Sequence, residues 1–254
     1  MELESKNKIA LCLSGYFDSF TDLTSKGVDG FEHIKKHILS QNNGDIDIFI
    51  HSWDISNQLK IEMLYGDKIK KQVFEPQINF LPVCIENKLN TIKLHSAYSP
   101  PQNILSHFYS VQKSHELMSL YEIENNFEYD IVIKSRFDLG RINRNTSGPG
   151  LFNPYPVQCI NFNPLLDMSK IYMANWQFTE DEGVADMWFY SNSKNMKNFC
   201  NLYEIMKMDL IPNGDYRNFV PSEEQLCNAI RMYKWFFIKT GLWDKKILLE
   251  TFWE

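Results

Sequence analysis

A chain of 254 residues that is 44% hydrophobic and 14% aromatic carries enough apolar material for a sizeable core, which excludes disorder for the bulk of it. Its net charge of −6 argues against a general nucleic-acid binder, which would show a basic face, but leaves room for a local cationic pocket. The five cysteines (Cys12, Cys84, Cys159, Cys200, Cys227) are odd in number, scattered and free of any CxxC pair. They read as buried thiols in a reducing compartment, not as a disulfide framework or a zinc site. The charged start MELESKNK is followed only by the short run IALCL, which does not make a secretory signal, and Asn145-Thr146-Ser147 then reads as a chance sequon. No run approaches the roughly 20 apolar residues of a membrane span. The expectation is a soluble, cytoplasmic protein without a transmembrane segment.

In chain order, Lys8–Leu13 is a near-continuous apolar run and the expected first strand, ending in Ser14-Gly15-Tyr16, where the backbone can turn tightly beside a ligand. Neither GxxxxGK[ST] nor GxGxxG is present, so an ordinary strand-to-loop turn is the more natural account of the two. Phe31, Ile34 and Ile38 predict a short amphipathic helix over Phe31–Leu39. Asp45–Ile50 is the second strand, and His51, Trp53 and Asp54 follow it directly. His51 and Asp54 are ligands, acid–base groups or satisfied structural residues; Trp53 stacks on a base or sugar, or covers the core. Lys70–Phe74 is a weaker strand closed by Pro76. Residues 77–103 read as irregular loop, with a short strand around Leu81–Ile85.

Asn103–Glu124 reads as a long helix, with Ile104, Phe108, Val111, His115 and Met118 on one stripe and Pro101 just upstream. Tyr109, Gln112 and Lys113 face a site or a half-exposed helix surface. Tyr129–Ile133 is a strand short and apolar enough to be buried on both faces, ending in Lys134, Ser135, Arg136, Phe137 and Asp138. Such strands place chemistry just past their carboxyl ends, so a cation and a carboxylate here suit a phosphate and a metal, or a surface ion pair. Residues 140–170 read as loop with short strands. Ile171–Ala174 and Ala185–Tyr190 are two further strands joined by the acidic segment TEDEGVAD, with Asp186 at the start of the second. Ser193–Met206 is a helix, Ser222 and Gln225 have capping-box spacing for another, and the aromatic tail KWFFIKTGLW packs on the sheet or meets a partner. The alternation predicts a single α/β domain over residues 1–254, with a mostly parallel sheet flanked by helices.

FYSVQKSHEL (Phe108–Leu117) and NNFEYDIVIKSRFDL (Asn125–Leu139) together resemble a family of GT-A-like glycosyltransferases found among bacterial polysaccharide-synthesis proteins and among large-virus and phage proteins. KIALCLSGYF (Lys8–Phe17), DIFIHSWD (Asp47–Asp54), VADMWFYSNSKNM (Val184–Met196) and PSEEQL (Pro221–Leu226) resemble further parts of it, in the same order. The resemblance implies a GT-A-like fold and transfer of a sugar from a nucleotide-sugar donor, such as a UDP- or GDP-sugar, to a glycan or other hydroxyl acceptor. It also implies Mn²⁺ or Mg²⁺ held by an Asp-x-Asp motif after a central strand, where this chain has Arg136-Phe137-Asp138. Either Asp138 holds the ion through waters and phosphate oxygens, or Arg136 itself offsets the diphosphate charge. Ser14, Gly15, His51 and Trp53 would line the nucleotide end, and Lys113 would face it from the long helix. Asp186 is the candidate base, with Glu223 and Glu224 as alternates or helix-capping residues. Two other readings stay open: a non-catalytic carbohydrate-binding or assembly protein of the same fold, favoured by the missing first aspartate, and a sugar nucleotidyltransferase. The last ranks lower because GYFDSF has no basic residue to grip a triphosphate.

Overall fold

The computed structural model describes residues 7–17, 26–40, 45–92, 99–139, 166–175 and 178–249. The strands are β1 (Lys8–Gly15), β2 (Asp45–Ser52), β3 (Ile69–Phe74), β4 (Ile131–Arg136), β5 (Ile171–Ala174), β6 (Phe189–Ser191) and β7 (Lys246–Leu249). They form one mixed sheet in the order β3-β2-β1-β4-β6-β5-β7. β1 pairs in parallel with β2 and β4, as does β2 with β3 and β5 with β7, while β6 runs antiparallel to both β4 and β5. The expected mostly parallel α/β sheet is present, in a Rossmann-like arrangement.

The helices are α1 (Lys26–Ile34, continued by a π-turn over Lys35–Leu39), α2 (Gln58–Tyr65), α3 (Leu81–Glu86), α4 (Pro101–Asn125), α5 (Ser193–Met196), α6 (Leu202–Asp209), α7 (Asp215–Phe219) and α8 (Ala229–Lys239). Side chains alternate across the central strands. Ala10 and Cys12 of β1 and Val132 of β4 join Phe108 and Val111 of α4 and Phe236 and Phe237 of α8 on one face. Ile9, Leu11 and Leu13 join Ile34, Ile38 and Ile61 beneath α1 and α2 on the other. Burial on both faces is why these strands read as continuous apolar runs. After β3 the chain returns through α4 to β4, on the opposite side of β1. The connections leaving β1 and β4 therefore diverge, opening a crevice at their carboxyl ends.

Several expectations are corrected. Leu81–Glu86 is a helix and not a strand: Pro82 sits in its first turn, where its missing N–H costs nothing, and Asn79 Oδ1 accepts from Leu81 N at 3.0 Å. α2 and α7 had no counterpart in the sequence reading. Of the expected strand Ala185–Tyr190, Phe189 and Tyr190 lie in β6, which runs on to Ser191, and 185–188 belong to no strand. The expected helix Ser193–Met206 is divided by a 3₁₀ segment, Lys197–Asn201. Ser222 starts no α-helix, since Glu223–Gln225 is a single 3₁₀ turn, and α8 is capped instead by Asn228, whose Oδ1 accepts from Ile230 N and Arg231 N. The tail KWFFIKTGLW is the second half of α8 and the turn after it, packed on the sheet through Phe236 and Phe237, and β7 follows it. Cys12, Cys84, Cys200 and Cys227 are free thiols. Cys159, the sequon, residues 140–165 and the first six residues lie outside the described residues. Among the described residues, no helix is long and apolar enough to cross a membrane.

Candidate functional site

A cleft of about 390 Å³ opens at the carboxyl ends of β1 and β4, within the size range of small-molecule sites. It is lined by Ser14, Gly15 and Tyr16 after β1, by Trp53 and Gln77, by Asn103, Ser106 and His107 of α4, and by Arg136, Asp138 and Asp186. Gly15 turns with φ +100°, a left-handed conformation that glycine adopts without strain. Its N–H donates to Ser110 Oγ at 2.8 Å and its carbonyl accepts from Ser52 Oγ at 2.8 Å, so α4 and β2 fix the turn. Ser14 Oγ is buried in the cleft wall and has no hydrogen-bond partner among the described residues.

The β4 end carries the densest chemistry. Arg136 forks onto Asp138, with Nε to Oδ1 and Nη2 to Oδ2 both at 2.8 Å, and its Nη1 reaches Asp186 Oδ2 at 3.2 Å. Phe137, the residue between, is fully buried against Phe17 and Tyr65, and this anchors the turn. Gly30 of α1 packs so close that a Cβ there would lie 1.8 Å from the Phe137 carbonyl oxygen. Asp186 comes from the irregular segment 184–188, outside any strand. Burial would raise its carboxyl, but Arg136, His107 and Lys134 together hold it well below the usual carboxylate range. It is therefore a firm anion and a weak proton acceptor at neutral pH. His107 Nε2 lies 2.8 Å from the Tyr233 hydroxyl and 3.5 Å from Asp186 Oδ2. Burial, helped by Lys134 and Arg136, pushes its imidazole down to about 3, so it is neutral in the working range. Lys134, fully buried beneath this cluster, is pushed down to about 7 by burial.

Six of the expected site residues thus share one cleft: Ser14, Gly15, Trp53, Arg136, Asp138 and Asp186. Trp53 is held by stacking on Tyr109, with centroids 5.5 Å apart and planes at 24°. The other four do not line it. His51 is fully buried, its Nδ1 2.8 Å from Ser110 Oγ and its Nε2 2.9 Å from Glu75 Oε1. It buttresses the β1 and β2 ends, and burial lowers its pKa despite Glu75. Lys113 donates to Glu116 at 2.7 Å and lies over Tyr109 on a half-exposed face of α4. Glu223 and Glu224 are exposed on their 3₁₀ turn, Glu223 facing Arg217 at 3.4 Å; the cleft instead meets Ala229, where the true helix begins.

His107, Asn103, Ser106 and Gln77 were missed. The signal for three of them was present, because Asn103, Ser106, His107 and Ser110 fall at i, i+3, i+4 and i+7 and make a polar stripe beside the apolar one.

Two carboxylates flank the cleft, but both oxygens of Asp138 already accept from Arg136, and Asp186 faces the same guanidinium. Among the described residues, no group of three or more His, Cys, Asp or Glu side chains is disposed to hold a metal. This donor set does not fit a resident divalent ion. The arrangement instead offers a preorganised guanidinium, an ionised carboxylate, neutral hydrogen-bonding groups and an aromatic wall.

No curated protein matches the chain. Residues 4–146 match a family whose range takes in β1 to β4 and α1 to α4, hence every cleft residue named above except Asp186 and Ala229. That range is more than half of the chain, and the protein belongs to the family described as Domain of unknown function (DUF7796).

Proposed function

We propose that the protein is a cytoplasmic glycosyltransferase of GT-A-like fold, which binds a nucleotide sugar in the β1/β4 cleft and transfers its glycosyl group to a hydroxyl of a glycan acceptor. The observation that carries this reading is the cleft itself. It lies at the switch point of the sheet, combines neutral polar groups with an aromatic wall, and leaves Ser14 Oγ buried without a partner. Hydroxyl-rich ligands need this mixture of donors, acceptors and flat apolar surface. The sequence resemblance and the Rossmann-like sheet support the reaction class.

In the reaction the bond between the anomeric carbon and the phosphate oxygen breaks, and the acceptor oxygen bonds to that carbon. The electron pair leaves with the nucleoside diphosphate. Arg136, fixed by Asp138 and Asp186, faces the charge that grows on the departing oxygen, and a donor already in place incurs no reorganisation at that moment. Asp186, a weak base held beside Arg136, accepts the hydrogen bond of the acceptor hydroxyl and takes its proton only late, when the forming bond to the anomeric carbon has made that hydroxyl strongly acidic. Because no resident ion fits the donor set, Arg136 carries the charge stabilisation here.

Titration calorimetry with UDP, GDP and their common sugar conjugates tests the proposal. Micromolar to millimolar binding that Ser14→Ala weakens and Arg136→Met abolishes is expected, together with slow hydrolysis of one conjugate that Asp186→Asn removes. A full panel without binding refutes it. The pairing of both carboxylates with one arginine also suits the second reading, a carbohydrate-binding protein that performs no transfer. Glycan binding without nucleotide binding or turnover would select that one.

A further inference from the structure

We propose that Lys134 is a positioning residue of the cleft, whose buried ammonium tethers the carbonyl of Asp186 and so fixes the segment that presents the Asp186 carboxylate to Arg136. Lys134 lies mid-strand in β4, opposite Cys12 of β1 and Phe189 of β6, and is fully buried. Strand alternation puts it on the same face as Val132 and Arg136, below the cleft. Its Nζ donates to the Asp186 main-chain oxygen. It also lies 5.2 Å from the Phe189 ring centroid and 5.3 Å from that of Tyr233, within cation–π range of both. Among the described residues, no carboxylate oxygen comes within ion-pair distance of it.

An ammonium buried without a carboxylate is costly, and methionine would fill the same space without that cost. A lysine here is therefore explained by what its N–H groups hold. What they hold is Asp186, in the middle of a segment with no strand or helix of its own. Gly183 is bridged to Thr179 on one side, and Phe189 enters the sheet on the other. Between these points the chain must bend so that the Asp186 carboxylate faces Arg136 and His107 while its carbonyl faces inward. The Lys134 tether sets that bend. Tyr233 completes the support, since its ring lies beside the ammonium and its hydroxyl meets His107.

The role concerns the cleft whose ligand is proposed above, and the test separates the two claims. In Lys134→Met, hydrogen exchange followed by mass spectrometry is expected to speed at least tenfold over residues 184–188 and to stay unchanged over β1. Calorimetry with UDP and GDP adds a double-mutant cycle: Lys134→Met weakens binding about tenfold in the wild-type background and less than twofold in Asp186→Asn, because the lysine acts through that aspartate. Unchanged exchange over 184–188, or losses that simply add, would overturn the proposal. If neither nucleotide binds the wild type, the nucleotide-sugar reading falls and the exchange comparison alone judges the tether. If Lys134→Met does not fold, lysine-labelled wild-type protein decides by NMR. At about pH 5, where Lys134 is charged, one ammonium signal protected from water exchange supports the tether, and its absence overturns it.

Discussion

Arg136→Met is the substitution that most sharply tests how the cleft is held together. Methionine keeps most of the apolar stem and removes the guanidinium, leaving Asp138 and Asp186 facing each other without their shared counter-ion. Breaking a fully buried pair by deleting one partner costs about 3–5 kcal/mol. Here Arg136, Asp186 and Asp138 are 27%, 24% and 16% exposed, so solvent screening discounts this to about 2–3 kcal/mol. For a protein of this size that lowers Tm by about 5–10 °C. The pH dependence gives the sharper signature. The carboxyl of Asp186 is depressed in the folded protein, so its contribution to stability is fully present above its unfolded pKa near ~3.9 and is lost as pH falls through the lower folded value. The variant lacks that contribution and adds carboxylate repulsion, which protonation relieves. Urea denaturation should therefore show a full deficit at pH 7 that shrinks below about pH 4. Equal stability at pH 7, or a deficit that does not change on acidification, would refute the account.

Gly30→Ala places a methyl where the Phe137 carbonyl oxygen now lies, and relief requires moving the backbone that carries Asp138. Calorimetric unfolding should show a loss of at least about 3 kcal/mol, the upper end of ordinary overpacking, and ligand binding should weaken with it. Ser14→Ala removes a buried hydroxyl that has no partner among the described residues, so its Tm should hold or rise while affinity for the cognate ligand falls about three- to tenfold, the worth of one hydrogen bond. Asn228→Ala deletes the two cap bonds at the start of α8 and should lower stability by about 1 kcal/mol in a denaturant titration, with ligand affinity unchanged. Manganese titrated into the free protein and followed by electron paramagnetic resonance should show no tight site that depends on Asp138, because Arg136 already occupies both its oxygens.

The parallel half of the fold was legible because burial on both faces writes itself into sequence as unbroken apolar runs, as in Lys8–Leu13 and Tyr129–Ile133. Their abrupt polar ends then pointed to Ser14, Arg136 and Asp138. The same logic misled at Ala185–Tyr190. Met187 and Trp188 are as buried as any strand residue, yet they cover the core from a segment that belongs to no strand before Phe189. Apolar runs report burial and not hydrogen bonding. At Ser222 the capping-box spacing was present, but no side-chain cap bond forms there: Gln225 N donates to the Ser222 backbone carbonyl at 3.1 Å and closes a lone 3₁₀ turn. His107 was hidden for a different reason. Helical periodicity draws attention to the apolar stripe of α4, and the stripe that lines the cleft is the polar one beside it.

The charge balance of the cleft narrows what it can recognise. Arg136 and Lys134 stand against Asp138 and Asp186, so the cluster sums to zero with Lys134 protonated and to −1 without that proton. A site of this kind cannot draw an anionic ligand by net field, as a cluster of unpaired arginines would. Its selectivity must come from placement: a guanidinium aimed along one direction, an ionised carboxylate beside it, and neutral groups on the α4 wall. Fixed dipoles discriminate by hydroxyl pattern and respond weakly to ionic strength, because opposite charges 3 Å apart screen each other before salt does. They also stabilise charge that appears at one point better than charge already spread over a bound ligand, and that difference separates a catalytic arginine from a binding one. Strong salt dependence of ligand affinity would therefore place the phosphate contacts away from the Arg136 cluster, and weak dependence would keep them on it.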